Sequence, residues 1–356
     1  MNHTIKDVII IGGGQSGLSV GYYLRKTNLD YLILDQQEKS GGSWPHYWDS
    51  LRLFSPAQWS SLPGVLMPGG ADYYPSRDDT IRYLQHYEAR YSFPVERSVT
   101  VREVLREKEQ DIFILKTDQG EYRSRAIVSA TGSFSNPYVP EIPGQAAFGG
   151  ILMHSSEYQN SQPFQGKRVM IIGEGNSGAQ ILAEVSQVAQ TTWITLTEPS
   201  FLPDDISGRT LFDYGTAAYE ARKKGASYTP PSLGKIVMVP SVKEARKRGV
   251  YKAVRPFSKF TTTGVRWADG REQAVDAVIF CTGFRPSLNH LSALAIGDTN
   301  EGQLITRGTK AVDIAGLWMV GYGSWTGFAS ATLIGVGRSA KQTVSEIEQY
   351  LASHVA

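Results

Sequence analysis

The sequence predicts an α/β fold of two three-layer units, the second inserted into the first. Three observations carry this. Two apolar strands each break into a glycine-rich turn and a helical pattern, a late apolar strand follows the second of them, and the chain ends in a long helical pattern. The composition agrees: 356 residues, 41% hydrophobic and 20% charged, can build a large core or two smaller ones, which excludes disorder and collagen-like repetition. Glycine numbers 36, about one residue in ten against the usual ~7%, so its placement carries information.

The first unit opens on Val8 to Ile11, a continuous apolar run that breaks into Gly12-Gly13-Gly14-Gln15-Ser16-Gly17. A helical pattern through Leu18, Tyr22 and Leu24 follows, and then the run Tyr31 to Leu34, ending in Asp35. Short strands come next, Asp111 to Leu115 and Tyr122 onward, around a turn at Asp118-Gln119-Gly120. Ala126 to Ser129 then runs into Ala130-Thr131-Gly132. The second unit starts at Arg168 to Ile172, turns at Gly173-Glu174-Gly175-Asn176-Ser177-Gly178, continues as helix to about Val188, and re-enters a strand at Thr192 to Leu196. A polar, partly helical insertion over about 201–255 carries Tyr228-Thr229-Pro230-Pro231. Ala274 to Phe280 reads as another buried strand, ending in Cys281-Thr282-Gly283, and Ala329 to Leu351 as a C-terminal helix. The expected domains are 1–160 with 276–356, and 161–275 between them.

Several function classes drop out. With 36 basic against 34 acidic side chains the formal charge is +2, so neither nucleic acid nor a lipid surface is demanded as partner. The single cysteine, Cys281, excludes an intrachain disulfide, a CxxC pair and a cysteine-rich metal cage. His3, His46, His86, His290 and His354 show no metal-ligand spacing, and no metal is expected. A strand beginning at Lys6 leaves no room for a secretory signal ahead of it, so a cytoplasmic location is expected. Gly316 to Gly337 lacks charge and is long enough to span a bilayer. Its glycines split it into a short strand and a turn, and no membrane span is expected.

The glycine turns carry the chemistry. In G-x-G-x-x-G the first glycine permits a tight turn, the second lets a pyrophosphate approach the backbone, and the third lets helix and strand pack closely. The phosphates then rest on the positive end of the helix. Gly12, Gly14, Ser16 and Gly17 fit this template, with Asp35 placed to accept ribose hydroxyls. Gly173, Gly175, Asn176, Ser177 and Gly178 fit it again. Two such sites imply two dinucleotides in Rossmann-like domains, and the usual pair is a nicotinamide hydride donor and a flavin acceptor. The strand end after the second turn reads Leu196-Thr197-Glu198-Pro199, with no cation until Arg209. Thr197 and Glu198 are therefore expected to meet ribose hydroxyls, and NADH is expected to serve at least as readily as NADPH.

With these motifs in place, the chain resembles the class B flavin-dependent monooxygenases, in particular the short bacterial flavin-containing ones, over essentially its whole length. The family fingerprint F-x-G-x-x-x-H-x-x-x-Y stands here as Phe148, Gly150, His154 and Tyr158, between the two glycine turns. Gly41-Gly42-Ser43-Trp44, Ala130-Thr131-Gly132 with Pro137, Pro140 and Pro143, and Cys281-Thr282-Gly283-Phe284 also match. The resemblance implies a glutathione-reductase-like arrangement holding FAD and NADPH or NADH. Cofactor contacts are then expected at Gly42, Trp44, Thr131, Gly132, Thr282 and Gly283. It also implies hydride transfer to the flavin and a flavin 4a-peroxide that oxygenates a small sulfide, amine or ketone with dioxygen. A homodimer is compatible with the resemblance, although no sequence feature specifies one.

The chain departs from the family pattern in having no asparagine between Gly42 and Asn136. Ser55 stands in the comparable stretch as the candidate catalytic hydrogen-bond donor. A hydroxyl cannot mimic both ends of an amide, so more uncoupled peroxide release is expected. His154 is expected to brace the hinge between domains. Part of the aromatic run Trp44, Tyr47, Trp48, Phe54 and Trp59 is expected to line a pocket. The basic stretch Lys243, Arg246, Lys247, Arg248, Lys252 and Arg255 reads as a solvated helix face, with attraction of a cofactor phosphate as the alternative, and the helix start at Phe328 to Thr332 as a positive end facing the flavin. Two competing readings are a quinone or partner-protein reductase and a non-enzymatic flavin redox sensor. A dithiol relay needs two cysteines and is excluded.

Overall fold

Apolar side chains without interruption suit a strand buried on both faces, and in the computed structural model Val8 to Ile11 lies at the centre of the first sheet. The structure describes residues 4–107, 109–203, 236–294 and 303–354, with Ala217, Glu220, Ala221, Lys224 and Ala226 between. About half of the expected insertion, including Tyr228 to Pro231 and Arg209, lies outside the described residues.

The first unit runs β1 (Ile5–Ile11), α1 (Gln15–Leu24), β2 (Tyr31–Asp35), α2 (Arg77–Tyr91), β3 (Val95–Arg97), β4 (Val101–Glu107), β5 (Ile112–Thr117) and β6 (Gly120–Ser129). The second runs β7 (Ile151–His154), β8 (Arg168–Ile172), α3 (Asn176–Val185), β9 (Gln190–Ile194), α4 (Pro240–Lys247), β10 (Ala253–Val254), a three-stranded antiparallel β11 (Lys259–Thr261), β12 (Gly264–Arg266) and β13 (Glu272–Ala274), and β14 (Ala277–Phe280). The chain then returns to the first unit with β15 (Thr306–Arg307), β16 (Lys310–Ala311), β17 (Leu317–Met319) and α5 (Leu333–His354).

The first sheet has the order β15-β16-β17-β6-β1-β2-β3, with β5 and β4 joined through the long β6. The second, β10-β9-β8-β14-β7, is parallel throughout. Both place a glycine turn at the carboxyl end of a central strand, where open α/β sheets bind ligands. α5 packs along α1 over the first sheet, and Trp318 reaches it with its indole N–H on Glu346 at 2.9 Å.

Four expectations need correction. β7 and β14 pair in the second sheet, Ala277 lying opposite both Ile151 and Val169, so the second unit extends beyond 161–275 on both sides. An apolar run shows that a strand is buried, not which sheet takes it. The second-unit helix ends at Val185, before the expected Val188. β9 ends at Ile194, and Leu196 stands 79% exposed beyond it. The C-terminal helix begins at Leu333. Ala329 takes a left-handed φ of 55°, and Thr332 Oγ1 accepts from the Gly335 N–H at 3.1 Å, which is the pattern of an N-cap. No helix among the described residues is long and apolar enough to cross a membrane.

Candidate active site

The six template glycines of the two turns divide by physical cause. Gly12 has a φ of 108°, and a methyl group there would stand 2.6 Å from the Ala130 carbonyl oxygen at the end of β6. At Gly17 it would lie 1.9 Å from the Gly12 oxygen. Gly173 (φ 133°) and Gly178 repeat the arrangement against the Cys281 oxygen at 2.2 Å and the Gly173 oxygen at 2.4 Å. Chain packing alone requires these four.

Gly14 and Gly175 differ. Their backbones are extended, with φ of −81° and −94°, which any residue adopts. A methyl at Gly14 would meet only Gly42 Cα at 3.6 Å, and one at Gly175 would meet nothing within 4 Å. Both are N-caps, and neither has a side-chain cap over the helix start. Open space beside the N–H groups of a helix start is what a close-lying pyrophosphate requires, so the residues present fit a dinucleotide at each turn.

Around the first turn, Gly42 (φ 58°) presses on Gly14, since a methyl there would stand 2.8 Å from Gly14 Cα. Trp44 donates its indole N–H to Gln15 Oε1 at 3.1 Å, and Gln15 Nε2 donates to the Ala331 carbonyl at 2.7 Å. Gln15 thereby ties the Gly-Gly loop, the start of α1 and the approach to α5 together. Ser16 is buried against Gly321, where a side chain would lie 2.0 Å from its hydroxyl. Asp35 is 5% exposed and accepts from Arg97, which also binds Glu88. Burial raises its carboxyl above the usual range, and Arg97 works against that. A carboxylate offers about four acceptor positions, so a ribose hydroxyl can still be served.

The second turn corrects two expectations. Ile11 lies opposite Leu34, and Ile172 lies opposite Ile194, so Thr195, rather than Thr197 or Glu198, holds the place of Asp35. Thr197 instead donates its N–H and hydroxyl to Glu174, both at 2.8 Å, tying this loop to the turn. Asn176 Oδ1 accepts the Val237 N–H at 2.8 Å, while Ser177 is half-buried at the start of α3. A cation does stand here. Arg255, just past β10, donates to Thr195 Oγ1 at 2.8 Å, the Thr197 carbonyl at 2.6 Å and Glu198 at 2.6 Å. Sequence distance hid its place beside Thr195, because only the β9 to β10 pairing brings it alongside.

Two segments cross between the sheets, 130–138 and 281–287, and they bond to each other. The Tyr138 N–H reaches the Gly283 carbonyl, Arg285 N–H reaches Asn136, and Ser287 N–H reaches Gly132, each at 2.9 Å. Gly132 (φ 65°) and Gly283 (φ 84°) make the turns. Thr131 Oγ1 lies 2.7 Å from both the Ser287 carbonyl and the Tyr322 hydroxyl, and Thr282 donates to the Tyr138 carbonyl. Buried His154 takes the Ser156 N–H on Nδ1 at 3.1 Å, so its proton is on Nε2, 3.0 Å from the Gly283 carbonyl. Burial lowers its pKa, and the ring is neutral.

The other fingerprint residues are structural neighbours of the hinge. Phe148 packs on Phe260, and a side chain at Gly150 would strike the Phe148 ring at 2.4 Å. Tyr158 is buried on Phe164. Ser55 is buried with its hydroxyl 2.8 Å from that of Ser60, which itself sits on the Ser55 and Pro56 carbonyls.

Aromatic rings run between the two turns. Trp44 meets Tyr47 at 5.3 Å, Tyr47 meets Phe134 at 4.7 Å, Phe134 stacks on Phe284 at 5.4 Å, and Phe284 meets His154 edge-on at 4.9 Å. Phe134 and Phe284 each follow a hinge glycine by one or two residues, a spacing that could have drawn notice to both. Gln15 and Tyr322 gave no comparable signal. Burial also lowers His290 to about 4, and its Nε2 is 3.1 Å from the Ser129 hydroxyl. No cluster of potential metal ligands occurs among the described residues.

Two glycine turns of the dinucleotide-binding type, each at the end of a central strand of its sheet, fit an oxidoreductase of the two-dinucleotide class. The chain belongs to the pyridine nucleotide-disulphide oxidoreductase family, whose model matches residues 9–207. It is similar to a flavin-containing monooxygenase from Stenotrophomonas maltophilia, 48% identical with a TM-score of 0.88, covering 97% of this chain and 99% of that one. It is also 31% identical to the oxidoreductase CzcO of Bacillus subtilis over 96% of this chain and 99% of the relative. Indole-3-pyruvate monooxygenase YUCCA1 of Oryza sativa is 26% identical over 96% and 91%. The chain is an enzyme of this flavin-dependent oxidoreductase kind.

Proposed function

We propose that this chain is a flavin-dependent monooxygenase that takes reducing equivalents from NADPH or NADH. It transfers one atom of dioxygen to a small sulfide or amine, or inserts it beside a ketone, and releases the other as water. The observation that carries this reading is the pair of glycine turns at central strand ends of the two sheets, where Gly14 and Gly175 leave space beside a helix start and a run of touching rings, Trp44, Tyr47, Phe134 and Phe284, lies between them. The 48% identical flavin-containing monooxygenase supports it.

Gly12 to Gly17, Asp35, Gly42 and Trp44 would hold FAD, and Gly173 to Gly178 the nicotinamide dinucleotide. When bound, the flavin supplies hydride acceptance and dioxygen activation. The protein's part is to orient and to exclude water. The rings of Trp44, Tyr47, Phe134 and Phe284 would supply an apolar surface beside the cofactors, and the paired segments 130–138 and 281–287 tie the two sheets together. His154, neutral and committed to Gly283 and Ser156, serves that brace rather than proton transfer.

The test is to reduce the flavin-loaded protein anaerobically with NADPH and mix it with ¹⁸O-labelled dioxygen and a methyl aryl sulfide. One labelled oxygen in the sulfoxide is expected. Consumption of NADPH with hydrogen peroxide as the sole product, across sulfide, amine and ketone alike, would overturn the reading.

A further inference from the structure

Four polar side chains beside the crossing segments form a chain whose protons can be assigned. His290 Nε2 lies 3.1 Å from the Ser129 hydroxyl, which lies 2.6 Å from that of Tyr322. The Tyr322 hydroxyl is 2.7 Å from Thr131 Oγ1, and Thr131 Oγ1 is 2.7 Å from the Ser287 carbonyl. A carbonyl only accepts, so the Thr131 hydroxyl gives its one proton to Ser287. Tyr322 must then donate to Thr131 Oγ1, Ser129 to Tyr322, and the His290 Nε2–H to Ser129. The chain runs one way, from imidazole to carbonyl, and the Tyr322 oxygen also takes the Thr131 N–H at 3.2 Å.

These side chains come from separate parts of the first unit. Ser129 ends β6, Tyr322 follows β17, and His290 stands in a short helical turn, Asn289–Leu294, that packs on β4. Thr131 and Ser287 belong one to each crossing segment. Ser129, Tyr322 and His290 are buried, where low local dielectric strengthens a hydrogen bond and makes an unpaired polar group costly. The Tyr322 hydroxyl is the hub, because without it the Thr131 N–H and the Ser129 hydroxyl both lose their partner. Thr131 stands beside the first turn, since a methyl at Gly12 would come within 3.2 Å of its nitrogen. Gly321, the residue before Tyr322, lies against Ser16 at the start of α1. One hydroxyl thus seats both crossing segments beside the first turn.

We infer that Tyr322 is a positioning residue for hydride transfer: by seating the crossing segments, its hydroxyl sets the distance between the dinucleotides at the two turns. This rests on the reading of both turns as dinucleotide sites. In the transfer, the C4–H bond of the reduced nicotinamide breaks, its electron pair and hydrogen pass to nitrogen 5 of the flavin, and the nicotinamide is left oxidised. Tyr322 exchanges no proton or electron in that step. The step is sensitive to placement, because a shift of about 1 Å can cost roughly 100-fold in rate.

Nitrogen-15 NMR of the imidazoles in the flavin-loaded protein reads the direction of the chain. His290, identified by the signal lost in His290→Gln, is expected to carry its proton on Nε2, and an Nδ1–H tautomer would overturn the assignment. Tyr322→Phe keeps the ring and removes the hub. Hydrogen exchange at the Tyr138, Arg285 and Ser287 amides is expected to quicken several-fold. The limiting rate of anaerobic flavin reduction by NADPH or NADH should fall about tenfold, with the half-saturating concentration within about twofold of the parent. Thr343→Val is the control. It strands the buried Thr309 hydroxyl, 2.6 Å away, in a bond that involves neither crossing segment, and should lower stability while leaving exchange and rate as they were. A Tyr322→Phe rate within about twofold of the parent, or a fall matched by Thr343→Val, would refute the positioning role while leaving both turns dinucleotide sites. If Tyr322→Phe does not fold, His290→Gln and His290→Leu carry the contrast. An amide N–H can still donate to Ser129 and leucine cannot, so quickened exchange is expected in the second alone, and equal exchange in both would refute the role. Failure of both nicotinamides to reduce the unaltered protein, with dithionite still able to, would overturn the reading of the second turn and the role with it.

Discussion

Gly175→Ala isolates the claim that empty space beside a helix start marks a ligand. The backbone there, φ −94° and ψ −174°, is open to alanine, and the added methyl meets no atom within 4 Å. Reduced freedom of the unfolded chain would contribute roughly 0.4–1 kcal/mol of stability. Alanine is a poorer N-cap than glycine by a similar amount, roughly 0.5–1 kcal/mol. The two effects cancel, so the melting temperature should move by no more than about 2 °C. Binding should respond differently. A methyl in the cradle holds the pyrophosphate off the N–H groups, and losing one charge-assisted hydrogen bond costs about 1.5–3 kcal/mol, or roughly 10- to 150-fold in affinity. Gly178→Ala is the contrasting case. Its methyl would stand 2.4 Å from the Gly173 oxygen, a backbone clash of about 1–3 kcal/mol that lowers the melting temperature by several degrees. The assay pairs thermal melts with the concentration dependence of anaerobic flavin reduction by NADPH in a stopped-flow instrument. If Gly175→Ala melts normally, keeps its flavin and still binds NADPH within twofold of the parent, the reasoning from vacant volume is wrong.

Gly14→Ala should likewise fold but lose flavin, seen as missing visible absorbance in the purified protein, because its methyl meets only Gly42 at ordinary contact distance. His290, held near 4 by burial, takes up its proton readily only when unfolded. Stability should therefore be full above about pH 6.5 and fall by roughly 3 kcal/mol as pH drops toward 4. Urea melts of His290→Gln at pH 7.5 and 4.5 should lose that part of the difference, and an undiminished slope would assign it elsewhere. His154→Ala strands the Gly283 carbonyl and the Ser156 N–H, a cost of about 1–3 kcal/mol measurable by urea unfolding. Ser55→Ala should cost about 1 kcal/mol or less and leave the peroxide yield per NADPH unchanged, since Ser60 already engages that hydroxyl. A several-fold rise in peroxide would place the Ser55 hydroxyl at the reaction centre after all.

The parts of the fold legible in the sequence were those set by local chemistry. The glycine turns announce themselves because Gly12, Gly17, Gly173 and Gly178 are demanded by contacts with carbonyl oxygens within or directly beside the unit. β8 and α3 follow from periodicity over a few residues. What stayed hidden depends on pairing between distant segments. β7 and β14 look the same whichever sheet accepts them, and Arg255 becomes a neighbour of Thr195 only through β9 and β10. The offset of Thr195 from the expected Thr197 and Glu198 has the same origin, because apolar character continues through Leu196 although the ladder stops at Ile194. Ser55 was located by comparison with a pattern rather than by any feature of its own. Its contact with Ser60, five residues on, is local, but nothing in two serines flanking a proline and an aromatic turn advertises it.

The one cysteine decides where electrons can go. Cys281 follows β14, and burial pushes its thiol far above the usual range, so no thiolate is available near neutral pH. Its backbone oxygen lies where a side chain at Gly173 would fall, and its Cβ lies 3.5 Å from where one at Gly178 would fall. It acts there as a small apolar residue fitted against the second turn. A family described by disulphide chemistry thus appears here without a dithiol, and no second thiol exists to form a disulfide with Cys281 within the chain. On the proposed reading, a flavin bound at the first turn must therefore hand its electrons directly to a small molecule rather than to a protein dithiol. Phe134 and Phe284, stacked at 5.4 Å, both stand on the crossing segments, so the hydrogen bonds that tie those segments together also fix this ring pair between the two turns.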